Sequence, residues 1–339
     1  MQFIKLVIGI DVSKDTFIAC LGTIDIKQCI NIISSDIFKN DVKGFMKLLS
    51  WLRKIIIKQK LSDSLPIWFV MEATGVYYEN LAYFLVENNR LVSVILPNKM
   101  KSFLKTLENK TKTDEQDAIG ITKYGLEKSL FEWRPPSPNM KIFKELLREY
   151  QTLKQLVVQV KNRLHAKQYS HEPEKLTVAR LNQQKKFYNK QLNQIKKQIE
   201  DLVDKDQDLK SRIEKIKQVE GLGLTSILTV ITETDGFVLI KNGRQLTSYA
   251  GYDVVHNQSG LFTGKSRISS KGNRFIRKAM YMAALSACRY NPKLKQLYIR
   301  LVINKSSKKI ALIAVARKLL LLIYTLWIKN EDYIPNYQS

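Results

Sequence analysis

The order of the apolar runs limits the fold of this 339-residue chain more than any other property. Three short, β-branched stretches, Ile4 to Ile10, Thr16 to Leu21 and Gln28 to Ile33, follow one another with polar or Gly-bearing turns between them, the pattern of an antiparallel meander. A helical segment over Val42 to Lys58 comes next, then a strand over Pro66 to Met71, a helix from Tyr77 to Asn89 and a strand over Leu91 to Leu96. Strands alternating with helices predict an α/β sheet. Two further helices, Asn98 to Leu107 and Asp114 to Lys128, are joined by the polar loop ENKTKT.

The resulting order β-β-β-α-β-α-β-α is that of a ribonuclease-H-like domain. The segment Trp133 to Pro138, WRPPSP, ends it with three prolines, which neither continue a helix nor donate to a sheet. This predicts a first domain over 1–132. Beyond it, Ile142, Leu146, Leu153, Val157, Val160 and Leu164 stand at three- and four-residue steps, and Leu192, Ile195, Ile199, Leu202, Leu209, Ile213 and Ile216 repeat the pattern. Two long helices with coiled-coil seams are therefore expected over 139–218, with Asp206 at a core position where a polar residue can set register. A basic helical hairpin of this kind suits nucleic acid or a subunit interface. From Val219 a Gly-rich turn, GLG, opens a mostly helical third domain over 219–330, with a loop-rich stretch from Gly251 to Lys271 and two apolar helices to Asn330. The turn either presents backbone N–H groups to a phosphate or simply caps a helix.

Charge narrows the partners. The 56 Lys and Arg against 31 Asp and Glu leave a formal net charge of +25, while 45% hydrophobic residues supply real cores. A disordered basic tail is excluded, and a polyanion such as DNA or RNA is the simplest partner. A lysine-rich solvated surface is the bland alternative. Cys20, Cys29 and Cys288 form no CxxC pair, and His165, His171 and His256 lack metal-ligand spacing, which argues against zinc. The sparse cysteines and the charges at Lys5 and Asp11, which break any signal-peptide core, point to a cytoplasmic protein. The one membrane-like stretch, Ile310 to Ile328, carries Arg317 and Lys318 at its middle, so a buried helix and no membrane partner are expected.

The acids of the first domain carry chemistry. Asp11 ends the first apolar strand and Glu72 follows the strand WFVM, while Asp114 and Asp117 share a helical face. Carboxylates so gathered repel unless a divalent cation neutralises them, which outlines a magnesium site, manganese being able to substitute. Two such ions about 3.5–4 Å apart can promote in-line displacement at a phosphodiester. Singly, each acid is as well explained as a helix cap or a solvated end; Asp15, Glu79 and Glu115 are read that way.

The segments VIGIDVSKDT, VMEATGVYYE and NKTKTDEQDAI resemble the signature blocks of DEDD-type insertion-sequence transposases, the IS-one-ten family, which also resembles the pilin-gene inverting recombinases. The resemblance covers nearly the whole chain. It implies a RuvC-like first domain whose magnesium-binding tetrad falls on Asp11, Glu72, Asp114 and Asp117. The stretch SYAGYDVVHNQSGLFTGKSRISSKGNRFIRKAMYMAA is similar to the family's C-terminal transposase domain, with Ser259 and Gly260 at its Ser-Gly pair and Lys271, Gly272, Asn273 and Arg277 at its later motif. Ser259 is thereby implied as a nucleophile, by its offset to Gly272 and ahead of the neighbouring Ser266, Ser269 and Ser270. Lys265, Arg267, Lys271, Arg274 and Arg277 flank it as expected phosphate contacts; His256 could act as a local base, but a lone loop histidine is more often a surface residue. Where the family often carries an apolar-Pro segment before the serine, this chain has Asp253 and Val254. The resemblance further implies donor and target DNA and a structured noncoding guide (bridge) RNA, while the helical seams and the placing of the acids and Ser259 in different domains predict a homodimer and a tetramer on DNA. A Holliday-junction resolvase-like, metal-dependent nuclease and an inactive nucleic-acid-binding regulator are the alternative readings.

Overall fold

A computed structural model describes residues 3–61, 65–73, 75–107, 113–238, 240–255, 258–259, 262–264, 267–269, 271–304 and 307–334. The chain divides into two compact units, 1–135 and 136–339.

In the first unit, strands β1 (Phe3–Val12), β2 (Thr16–Asp25), β3 (Ile30–Lys39), β4 (Ile67–Glu72) and β5 (Leu91–Ile95) form one sheet in the order β3-β2-β1-β4-β5. The meander β1-β2-β3 is antiparallel, and β4 and β5 run parallel to β1. That mixed order, with helices on both faces, is the ribonuclease-H-like arrangement the run order predicts. The central strands read as continuous apolar runs because both faces are covered. Leu6, Ile8, Ile10, Phe69 and Met71 join one core with helices α1 (Val42–Lys58) and α2 (Glu79–Glu87). Val7 and Val70 join the opposite core with α3 (Pro97–Leu104) and α4 (Asp114–Glu127). Strand β3 runs six residues past the predicted end at Ile33: its continuation SSDIFK is largely exposed on the sheet edge and carries no apolar alternation. Asp41 starts α1 by accepting from Gly44 N at 2.7 Å, and Thr113 starts α4 by accepting from Gln116 N at 3.2 Å.

The second unit begins with two long helices, α5 (Pro138–Gln168) and α6 (Lys175–Lys205), packed together as a hairpin. Then come α7 (Gln207–Lys217), α8 (Leu224–Glu233), α9 (Gly243–Ala250), short strands β6 (Val254–Val255), β7 (Gln258–Ser259), β8 (Phe262–Thr263) and β9 (Arg267–Ile268), and helices α10 (Arg274–Tyr290), α11 (Pro292–Asn304) and α12 (Lys308–Lys329). One core runs through this unit from Phe143 to Leu326.

Three local expectations change. Asp206 sets no register in a seam: it breaks the helix, ending α6 and starting α7 with its side chain accepting from Leu209 N at 3.1 Å. An Asp satisfies an orphan N–H better at a helix start than it tolerates burial in an apolar seam. At the start of α5 the buried stripe is Phe143 and Leu147, leaving Ile142 44% exposed. The C-terminal segment holds three helices, because Asn291, which accepts from Leu294 N, and Pro292 restart the chain as α11. The apolar stretch Ile310 to Ile328 is the core of α12; Leu312, Val315, Leu319 and Ile323 are buried while Arg317 and Lys318 face outward.

Candidate active site

The acidic residues lie at the same end of the first sheet, where β1 and β4 finish and α4 begins. Strands β1 and β4 are parallel and in register at Ile10 and Met71, so Asp11 and Glu72 are the next pair along, on adjacent strands. Both follow a residue of the α1/α2 core, and side chains alternate along a strand, so Asp11 and Glu72 project on the face that α4 covers. Helix α4 runs opposite to β1. A Cβ on Gly125 would lie 2.6 Å from Val7, and one on Gly9 would lie 2.3 Å from Thr122 N and 2.7 Å from Ala118 O. Continuing this course brings the first turn of α4, with Asp114 and Asp117, to the level of Asp11. Asp114 is exposed and Asp117 half-buried.

Glycine makes this close approach possible. Thr122 locks it: its Oγ1 accepts from Gly9 N at 3.2 Å and lies 2.9 Å from Cys20 O and 2.8 Å from Ala118 O. The all-oxygen donor set of the tetrad suits magnesium or manganese by chemistry. Among the described residues, however, no three carboxylate, imidazole or thiolate groups are drawn into a ligand set. The acids share an end and a face of the sheet without converging. Glu115, off the tetrad's face, accepts from Ser35 Oγ at 2.7 Å, and Glu79 opens α2, both structural settings.

Ser259 stands in the second unit, exposed in β7. It pairs with Phe262 of β8, and inside the same excursion β6 pairs with β9 through Val254 with Ile268 and Val255 with Arg267. The described residues of the loop-rich stretch thus form two short antiparallel pairs in hairpin order, with Ser259 in the pair further along the chain from the neck. That neck is tight: a Cβ on Gly272 would lie 2.5 Å from Gly251 N and 2.6 Å from Tyr249 O. Gly251, at φ 75°, ends α9 in the left-handed conformation. Ser269 belongs to the neck, its N–H donating to Asp253 O at 2.7 Å and its Oγ accepting from Lys271 N at 3.3 Å. Lys265, His256, Gly260, Ser266 and Ser270 lie outside the described residues.

The expected phosphate contacts differ in kind. Arg267, Lys271 and Arg274 are exposed, and the Arg274 guanidinium lies 5.1 Å from the Phe275 ring centre. Arg277 is half-buried and donates to Ala250 O at 2.9 Å, so one of its five guanidinium donors serves the neck of the hairpin.

The sequence reading missed Glu233, the last residue of α8, whose side chain is 4% exposed. It accepts from Arg148 through both oxygens at 3.1 and 3.2 Å and from Asn273 Nδ2 at 2.8 Å, with Lys144 Nζ at 3.7 Å. Arg148 also lies over the Phe275 ring, 4.7 Å from its centre. Tyr249 donates its hydroxyl to Glu233 O at 2.8 Å, and burial pushes that phenol up. Burial likewise drives the Tyr252 phenol far above its ordinary range. The overlooked signal was an acid closing the apolar run LTSILTVITE, where the helix C-terminus repels negative charge and a cation must compensate.

Residues 8–168 match a family model described as transposase, of the DEDD type named for IS110, and residues 213–299 match the model of the transposase IS116/IS110/IS902 family. The chain belongs to this transposase family. The first match contains all four acids, and the second contains Ser259 and the basic residues around it. The pilin gene-inverting proteins of Moraxella lacunata and Moraxella bovis are each 28% identical to this transposase over 97% of the chain and 98% of their own length. Among solved structures, Thermus thermophilus RuvC in complex with a Holliday junction substrate is 9% identical at a TM-score of 0.28, over 38% of this chain and 99% of that one. An Aquifex aeolicus Ppx/GppA family member is 10% identical at 0.23, over 97% and 92%. The fold of the first unit rests on its strand order and register rather than on these superpositions.

Proposed function

We propose that the protein is a DNA recombinase of a mobile insertion sequence, which cuts and rejoins strands with the acids of its first unit and the serine of its second. The observation that carries the reading is that Asp11 and Glu72 each follow the last registered pair of the parallel strands β1 and β4, Ile10 with Met71, on the face covered by the helix that begins with Asp114 and Asp117. Family membership and relatives named for inverting a pilin gene support DNA as the substrate.

Asp11, Glu72, Asp114 and Asp117 would hold magnesium, or manganese in its place. The bound ion supplies charge neutralisation and polarisation at the scissile phosphate. Ser259 Oγ attacks phosphorus, the hydroxyl proton leaves to solvent, and the displaced sugar oxygen departs as a hydroxyl. A phosphoserine link conserves the bond, so a free DNA end can attack it and regenerate the serine. Arg267, Lys271 and Arg274, exposed along the hairpin and its neck, steady the backbone together with Lys265, while Arg277 also holds the neck.

The net charge of +25 suits two polyanions, donor and target DNA together with a structured noncoding RNA from the element, whose base pairing would read sequence. Between Val160 and Ile195 only Leu181 is buried, and Lys161, Arg163, Lys167, Lys175, Lys185, Lys186 and Lys190 make no ion pair among the described residues. Unpaired cations four apart, such as Lys186 and Lys190, repel on a helix face, and a phosphate backbone relieves that repulsion. The working assembly is read as a homodimer that forms a tetramer on DNA.

The test is Asp11→Asn with donor DNA, the element-end RNA and magnesium. The variant is expected to bind DNA as wild type does and to lose cleavage; cleavage at the wild-type rate would remove the metal reading.

A further inference from the structure

We infer that Glu233 is a positioning residue for the serine-bearing hairpin, acting through Asn273; this rests on Ser259 being the nucleophile. A carboxylate is an expensive way to fill this place. It is buried, and it closes a helix whose C-terminal end repels negative charge. Packing alone does not call for it, since apolar groups often replace a buried ion pair without loss of stability. What the carboxylate does is hold Asn273, one foot of the hairpin, while the backbone carbonyl of the same residue takes the hydroxyl of Tyr249, the other foot.

Asn273 is the second foot and the start of α10 at once. Its Oδ1 accepts from Phe275 N at 2.9 Å and Ile276 N at 3.1 Å, which turns its Nδ2 toward Glu233, 2.8 Å away. Tyr249, the first foot, donates its hydroxyl to Glu233 O and accepts Asn273 N–H at 2.8 Å on its own carbonyl. Arg148 fixes the carboxylate from α5 with two hydrogen bonds. Among the described residues of the hairpin each strand is two residues long, and Val254 and Val255 are exposed, so its orientation is taken from its feet. The direction in which Ser259 is presented is therefore set at the neck, where a small rotation of the Asn273 amide is magnified toward the far end.

The decisive variant is Asn273→Ser in the full chain. A serine hydroxyl keeps the N-cap of α10 and removes only the donor to Glu233. Three quantities are measured with donor DNA, element-end RNA and magnesium: the melting temperature, the DNA concentration for half-saturation, and the rate of covalent adduct formation at saturating DNA. The expected result is melting within a few degrees of wild type, unchanged half-saturation, and an adduct rate at least about tenfold lower. Glu233→Leu should slow the adduct as much, and Glu233→Gln, which keeps an acceptor for Asn273, should restore most of the rate. A wild-type adduct rate in Asn273→Ser overturns the proposal, and so does a loss that only follows the folded fraction. Ser259→Ala is run alongside: if it still forms the adduct, the serine assignment has failed, whereas its loss together with full activity of Asn273→Ser removes Glu233 alone.

Discussion

Gly9→Ala tests how the fold builds the acidic end of the first sheet. The added methyl would stand 2.3 Å from Thr122 N, 2.4 Å from Thr122 Oγ1 and 2.7 Å from Ala118 O. Two of these are backbone atoms and cannot swing aside, so α4 must lift by about 1 Å to reach ordinary contact. Overpacking costs about 1–3 kcal/mol, and weakening the Gly9 N to Thr122 Oγ1 hydrogen bond about 0.5–1.5 kcal/mol more. Stiffening the unfolded chain returns only about 0.4–1 kcal/mol. The clash wins by about 0.5–4 kcal/mol, with a central value of about 2 kcal/mol that lowers the melting temperature by roughly 8 °C for a unit of this size. The same lift carries Asp114 and Asp117 away from Asp11, and a displacement of about 1 Å at reacting groups can cost about a hundredfold in rate. Thermal melting and magnesium-dependent cleavage of end-labelled DNA measure both. Melting within 2 °C of wild type, with wild-type cleavage, would refute the packing of α4 on β1 as the device that sets the site.

Further outcomes concern charge and pH. DNA affinity should fall steeply with salt, and Lys271→Ala should lessen the slope of log K against log salt by about 0.9, while Arg277→Gln, which loses the tie to Ala250 O, should lower the melting temperature with a smaller change in slope; a flat salt response would end the polyanion argument. Burial raises the Asp235 carboxyl above its ordinary 3.8, outweighing the nearby Lys144. The folded state therefore holds this proton more tightly than the unfolded state, and the group's contribution to stability is lost as pH rises through its folded pKa. Asp235→Asn, at a left-handed position that Asn tolerates, should raise the melting temperature at neutral pH, with the difference closing below about pH 4; a constant difference down to that pH would contradict the assignment.

The first unit was legible because its strands are buried on both faces and so announce themselves as apolar runs, and because Asp11 and Glu72 end two of them. The edge strand β3 was read short for the opposite reason, its outer half SSDIFK opening on three polar residues and burying only Phe38. Periodicity found the long helices, yet a period carries no sign of where a helix stops, and the cap at Asp206 looked like one more position in a seam. The site around Glu233 was illegible because its partners come from distant segments: Arg148 and Asn273 stand 85 and 40 residues away. The tie of the Arg277 guanidinium to Ala250 O, 27 residues away, was illegible for the same reason.

The central claim is that DNA becomes covalently joined to Ser259. Purified protein, element-end RNA, magnesium and end-labelled donor DNA are incubated, denatured and resolved on a gel, with Ser259→Ala beside wild type. A DNA-linked protein band that is present in wild type and absent in Ser259→Ala is the predicted result. Cleaved DNA with no such band, equally strong in the variant, would contradict the account and leave a nuclease that works through its acids alone.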